Sequence, residues 1–369
     1  VVNFVKNLFS KSKKGIGIEI APDRINVIQL QKQRQSFKVA QFISEEVPEG
    51  IFEDGQIIDQ PAMAELIDRI LSQNKIKAKN IATAIPGRES VTRVVPVPAE
   101  LNDANELRDY INQEAGLYLP FPREEADVDY QKLGSVLDED DIEKVQVLLV
   151  ATRKEITDSY ITTFQEAGLD LDVIEVTSFS LLRTIQDKLQ QFTPSEAAVL
   201  ADLEFDSTEI AVVVDGVPHF SRTIPIGTFQ IQSALSQAMN LPPSRNTELL
   251  QGMTIPVTSN DGMTMGTMGG TNPGTTAMVR VLGELADEIR RSIDFYLNQS
   301  DGLEVAQLFL AGPGSSIGQL DEFFFQRLSL PTSQVDPIES LGIDVDEEMM
   351  PSSHRAGLGI ALGLGMREV

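Results

Sequence analysis

Lys14-Gly15-Ile16-Gly17-Ile18-Glu19-Ile20-Ala21, followed at once by Pro22-Asp23, is an apolar run broken by one acid and ended by a turn signal. Half a chain later the same build recurs. Ala197-Ala198-Val199-Leu200-Ala201-Asp202-Leu203 runs into polar Glu204-Phe205-Asp206-Ser207-Thr208-Glu209, then into apolar Ile210-Ala211-Val212-Val213-Val214 and Asp215-Gly216. Two strand-acid-turn-strand hairpins predict two similarly built halves that face each other, with a ligand or partner held between them.

Length agrees with two halves, because 369 residues exceed one small core. Hydrophobic residues make up 41%, yet no run approaches the roughly 18 to 20 apolar residues that cross a bilayer. Residues 1–14 do not read as a secretory leader, since Lys6 and Asn7 interrupt Phe4, Val5, Leu8 and Phe9 before the basic Lys11-Ser12-Lys13-Lys14. That basic cluster reads as a solvated terminus. Cysteine is absent and His219 and His354 are the only imidazoles, so disulfides, thiolate metal sites and nucleophile-His-acid arrangements are not expected. The net charge of −25 repels phosphate backbones and anionic lipid, so nucleic acid is not an expected partner. A cytoplasmic protein without a transition-metal centre is expected.

Working outward from the first hairpin, Ile16 to Ile20, Ile25 to Leu30 and Phe37 to Ile43 predict an antiparallel meander. An acidic loop follows over 44–58. Asp59 and Pro61 then open a helix through Met63, Leu66, Ile67, Ile70 and Leu71, and Ile81 to Ile85 is a buried strand. Residues 89–168 read as an inserted block: a strand over 91–97, a helix over 102–114, strands over 126–133 and 145–151 about the turn Asp138-Glu139-Asp140-Asp141, and a helix over 153–167 ended by Gly168. A strand over 171–176 leads into a helix that runs to about Leu189.

The second half adds a strand over 217–224, a helix after Gly227, and a stretch over 240–280 without periodicity that holds Met253, Met263, Met265 and Met268. A long helix, a strand over 305–310, the loop Gly312-Pro313-Gly314-Ser315 and a helix over 318–328 come next. After an irregular acidic stretch, Ala356 to Met366 is a small-residue helix suited to close packing.

The motifs at 15–24, 199–210 and 308–316 resemble the two phosphate loops and the adenosine loop of the actin-like ATPase superfamily. With the inserted strand-helix-strand-strand subdomain, the chain is similar to the division protein FtsA and, more so, to the type IV pilus assembly protein PilM family. Glu114-Ala115-Gly116-Leu117-Tyr118-Leu119-Pro120-Phe121-Pro122, Ala167-Gly168-Leu169, Ser221-Arg222-Thr223-Ile224-Pro225-Ile226-Gly227, Glu288-Ile289-Arg290-Arg291-Ser292 and the stretch from Gly357 to Met366 carry that likeness. It implies an α/β, actin-like (ribonuclease H-like) duplicated two-domain fold. The expected division is 1–88 with 169–195 for subdomain 1A and 89–168 for the inserted 1C. Subdomain 2A takes 196–240 and 300–352, 2B takes 241–299 with a flexible Gly/Met-rich loop, and 353–369 is a C-terminal helix.

The resemblance also implies a function: a cytoplasmic scaffold, peripheral to the inner membrane, that binds the N-terminal tail of the membrane protein PilN and links the platform to the motors. Other pilus components and self-association follow as possible partners. The groove for the tail is expected between the first domain and the inserted subdomain, at Leu117, Tyr118, Pro120 and Phe121 and on nearby strand residues, residue types that would equally pack the helix onto its own sheet. ATP and Mg²⁺ are implied as cofactors, with Glu19 and Asp202 on the metal, Ala21 and Thr208 by the phosphates, and Gly312, Gly314 and Ser315 around adenosine. Departures stand beside these: Ala21 and Glu204 replace glycines, and Pro22 has no N–H to donate. Two readings follow, a functional ATP site or a pseudo-ATPase that keeps the two-domain clamp as a scaffold. An active FtsA-like ATPase and a type II secretion component, which would continue into a membrane span, are the alternatives of function.

Overall fold

The computed structural model describes residues 16–32, 36–77, 79–101, 103–137, 140–257, 272–300, 302–346 and 350–367. Lys14, Gly15, the basic cluster at 11–14, Asn102, Asp138-Glu139 and Met263, Met265 and Met268 lie outside them.

The expected meander forms from β1 (Ile16–Ile20), β2 (Arg24–Lys32) and β3 (Phe37–Glu46), paired antiparallel in sequence order. A short hairpin, β4 (Phe52–Glu53) with β5 (Gln56–Ile57), stands inside the stretch expected as loop. Helix α1 (Gln60–Gln73) starts where its cap dictates: Asp59 accepts from the Ala62 N–H and Pro61 sits in the first turn. Strand β6 (Asn80–Ile85) then lies parallel to β1.

The insertion comprises β7 (Ser90–Pro98), α2 (Ala104–Glu114), β8 (Ala126–Leu137) and β9 (Glu143–Arg153), an antiparallel sheet in the order β7-β9-β8. Val95, Val97, Val147 and Leu149 face Leu107 and Ile111 of α2 across a small core of their own. Helix α3 (Lys154–Glu166) stops at Gly168, whose φ of +74° is the left-handed conformation a chain-reversing glycine supplies. Strand β10 (Asp170–Val176) rejoins the first sheet beside β6. The helix expected to reach Leu189 unbroken divides at Ile185 (φ −117°) into α4 (Thr177–Thr184) and α5 (Gln186–Leu189).

In the second half, β11 (Glu196–Leu203), β12 (Thr208–Val214) and β13 (Val217–Ile224) repeat the meander and α6 (Thr228–Ala238) follows Gly227. Helix α7 (Pro273–Leu297) starts earlier than apolar periodicity predicts, because Asn272 caps it by accepting from the Gly274 N–H. Strand β14 (Glu304–Ala311) leads through the Gly312 loop to α8 (Leu320–Leu328). The acidic stretch expected to be irregular holds β15 (Thr332–Gln334) and α9 (Pro337–Ser340), the latter nucleated by Asp336 accepting from the Ile338 and Glu339 N–H groups. The chain closes with α10 (Ser352–Arg355) and α11 (Gly359–Gly365).

The sheet orders are β3-β2-β1-β6-β10 and β13-β12-β11-β14-β15, with the same succession of antiparallel and parallel pairs. This is the duplication that the two hairpins announce. Each sheet buries one face under its own helices. Between the sheets, Leu181 and Leu182 of α4 and Ile360 and Leu364 of α11 pack with Ala82, Ala84, Leu200 and Val213. The glycines of α11 allow that contact, since a Cβ on Gly363 would overlap the Ser180 carbonyl and one on Gly17 would stand 2.6 Å from the Gly365 nitrogen. Among the described residues no helix is long and apolar enough to cross a membrane.

Candidate functional site

Both hairpin turns point into one cleft between the halves. Glu19 on β1 is 3% exposed; it accepts from Asn26 Nδ2 at 3.0 Å and from Arg24 Nη2 at 3.2 Å. The same Arg24 nitrogen reaches across to Glu204 Oε2 at 2.8 Å, and Arg24 Nη1 meets Asp23 at 3.2 Å. Asp202 and Glu209 complete the acidic wall, both buried. Glu209 accepts from Thr177 Oγ1 at 2.5 Å and from the Gly87 N–H at 3.2 Å, a close approach that any side chain on Gly87 would block. Asp202 Oδ1 and Glu209 Oε1 find no hydrogen-bond partner among the described residues.

Taking four carboxylates out of water raises all their pKa values. Burial pushes Glu204 up to about 7 against the pull of Arg24. For Asp202, burial and then the charges of Glu204, Glu209 and Glu19 hold the carboxyl well above its ordinary range. Glu19 and Glu209 are raised by burial too, opposed by Arg24 and Asn26 in one case and by Thr177, Ser178 and the Gly87 N–H in the other.

The expected nucleotide residues are therefore only partly assembled. Glu19, Ala21 and Asp202 line the same cavity, whose volume is about 50 Å³. Thr208 is fully buried and donates its hydroxyl to the Ile226 carbonyl at 2.7 Å, which turns it away from the cleft. Ser315 is likewise buried and bonds the Gly312 carbonyl at 2.9 Å. Gly312 (φ +78°) lies against Asp202, where a Cβ would come within 2.6 Å of Oδ1, and Gly314 packs on the Leu203 side chain. Small-ligand pockets span roughly 300 to 1,000 Å³. Pro22 offers no N–H and Glu204 presents a carboxylate, so these residues, as arranged, do not fit a nucleoside triphosphate. Among the described residues no group of three or more Asp, Glu or His is placed to hold a metal ion.

A second, larger concavity of about 880 Å³ opens between the inserted sheet and the first half. Leu148 and Val150 of β9 and Asp127 and Asp129 of β8 form one wall, Ile174 of β10 and Phe179 of α4 the other. At its base Glu175 takes two 2.8 Å bonds from Arg183 and one of 2.7 Å from Arg367 Nε. Burial works to raise Glu175, but Arg183, Ser180 and Arg367 prevail and hold it below the usual carboxylate range. Asp127 and Asp129 are exposed on β8, and Asp215 faces them from the β12–β13 turn.

The groove is expected between the first domain and the inserted subdomain, at Leu117, Tyr118, Pro120 and Phe121 and on nearby strand residues. The structure sets the four named residues in the loop after α2, with Leu117 76% exposed and Phe121 beneath the Arg153 guanidinium at 5.3 Å from the ring centroid. None of the four lines the large cleft, because Val147 and Leu149 face α2 while Leu148 and Val150 face the other way. The apolar run Val147 to Ala151, unbroken after Gln146, was the available signal: a strand apolar on both faces needs cover on both. Arg24, Arg88 and Arg245 also escape the sequence, since single arginines beside turns carry no spacing signature.

Comparison with known proteins gives the geometry its context. The profile of the family described as Type IV pilus assembly protein PilM matches residues 17–249 and 278–369. A solved PilM-PilN type IV pilus biogenesis complex superposes with a TM-score of 0.79 at 22% identity, covering 97% of this chain and 99% of that one. The ethanolamine utilization protein EutJ of Carboxydothermus hydrogenoformans is similar at a TM-score of 0.53 and 12% identity, over 95% and 88% of the two chains. MreB5 of Spiroplasma citri bound to AMPPNP gives 0.54 at 12% identity, over 90% and 94%. The fold is thus actin-like, and the chain belongs to the type IV pilus assembly protein PilM family.

Proposed function

We propose that this chain is a cytoplasmic scaffold of type IV pilus assembly that takes the N-terminal tail of a PilN-like inner-membrane protein into the cleft between the inserted sheet and the first half. The observation that carries the reading is the cleft itself. Its volume of about 880 Å³ suits an extended segment, Leu148, Val150, Ile174 and Phe179 offer apolar contact, and the exposed edge of β8 carries acids. Asp127, Asp129 and Asp215 favour a tail with cationic side chains, in keeping with the chain's net charge of −25. Held peripherally through that tail, the scaffold would pass contacts on to other platform and motor components.

Support also comes from the family and from the solved complex of a similar protein with PilN. Calorimetric titration of the intact chain with a synthetic partner tail tests the reading. One-to-one binding that weakens at least about tenfold, roughly 1.4 kcal/mol, in Val150→Asp supports it. Binding of equal strength in both proteins rejects the cleft.

A further inference from the structure

The cleft between the halves is filled by the chain itself. The turn 204–207 enters it from the second half and is pinned there: the Glu204 N–H donates to the Ser207 carbonyl at 2.9 Å. Behind it stands the N-terminus of α6, whose free N–H groups would be the natural grip for an anion. The first of them are already used. Thr228 N–H donates to the Glu204 carbonyl and Phe229 N–H to the Phe205 carbonyl, each at 2.8 Å, and Gly227 N–H donates to Gln230 Oε1 at 2.8 Å. Gly227 is required by the fit, since a Cβ there would stand 2.5 Å from the Ser207 nitrogen and 2.6 Å from the Glu204 carbonyl oxygen.

From that pinned turn two carboxylates cross to the first half. Glu204 meets Arg24 at 2.8 Å and Asp206 meets Arg88 at 2.6 Å, with Ser207 Oγ 2.5 Å from the same Arg88 nitrogen. Arg245 answers from the second half, donating to the Pro22 carbonyl at 2.7 Å while its guanidinium stacks 5.3 Å above Phe205. What remains open is about 50 Å³, well below the roughly 300 to 1,000 Å³ of small-ligand pockets.

We infer that the turn 204–207 is an internal anionic ligand: Glu204 and Asp206 occupy the ground between the halves that a bound polyphosphate would need, and through Arg24 and Arg88 they keep the cleft closed without a nucleotide. The closed clamp is a fixed part of the scaffold rather than a state set by ATP. Arg24 is central, because it satisfies Glu19 of the first half and Glu204 of the second with one nitrogen.

Hydrogen exchange of the intact chain, with and without Mg-ATP, and calorimetry with Mg-ATP test this. The expected result is no heat of binding and unchanged protection over 19–26 and 202–209 in the unsubstituted protein, with exchange over both segments at least about tenfold faster in Arg24→Met. Arg88→Met, at a part-exposed side chain that meets Asp206, is the second probe and should loosen 202–209. Mg-ATP that binds the unsubstituted chain and adds protection there overturns the inference, as do Arg24→Met and Arg88→Met proteins with unaltered exchange.

Discussion

Arg24 and Glu204, 180 residues apart in the chain, meet at 2.8 Å across the boundary between the two halves. The side chains are 14% and 17% exposed, so the pair is screened less than a surface ion pair would be. It stands where the turns of the two matching hairpins converge.

Removing one member of the pair should cost more than removing both. Arg24→Ala leaves Glu19 and Glu204 facing each other without a cation, and a loss of about 3 kcal/mol in urea unfolding is expected. Arg24→Met combined with Glu204→Gln should recover at least half of it. Equal losses in the single and double variants would show that the pair is not coupled.

Stability should depend on pH through Glu204. Burial raises its carboxyl from 4.5 to about 7 in the folded chain, with Arg24 opposing the shift and Glu19 and Asp23 adding to it. A raised folded value means that the contribution is complete below the unfolded value and is lost as pH rises through about 7. Glu19, Asp202 and Glu209 shift the same way. The melting temperature should therefore fall as pH rises from about 4.5 through about 7, and less steeply in Glu204→Gln. An unaltered slope in that variant would remove Glu204 from the explanation.

Close packing of α11 should be intolerant of a single methyl group. Gly363→Ala forces a Cβ into the Ser180 carbonyl, and backbone has to shift to admit it. A loss of about 1 to 3 kcal/mol or more is expected by thermal unfolding. Gly252→Ala, where the added atom meets open space, is the control and should change little.

The acidic rim of the large cleft should act on rates. Asp129→Asn with Asp215→Asn keeps shape, and Asn tolerates the left-handed backbone at position 215, where φ is +49°. Association of a cationic partner tail should slow several-fold and lose much of its salt dependence, while dissociation changes little. Stopped-flow measurement at two salt concentrations distinguishes this from loss of apolar contact.

Much of the fold was legible because its signals are local. The two hairpins, the Asp59 cap, the Gly168 stop and the glycine spacing from Gly357 to Gly365 each record a backbone requirement in a few adjacent residues. Helix α7 and strand β15 were less so, the first because its start rests on Asn272 and not on periodicity, the second because three residues carry no pattern. The site was harder to read. That Thr208 turns inward and that the Thr228 and Phe229 N–H groups of α6 are spent depends on contacts with Ile226, Glu204 and Phe205, which no motif encodes. The large cleft needed the sense of alternation in β9, which decides that Leu148 and Val150 look away from Leu117 and Phe121.

The most direct test of the scaffold reading is where the partner tail lies. A photo-crosslinking residue placed at Val150, and separately at Leu117, would be irradiated in the intact chain with the N-terminal peptide of a PilN-like protein. Capture from position 150 and none from position 117 is the predicted result. Capture from position 117 with none from position 150 would contradict the cleft as the binding site.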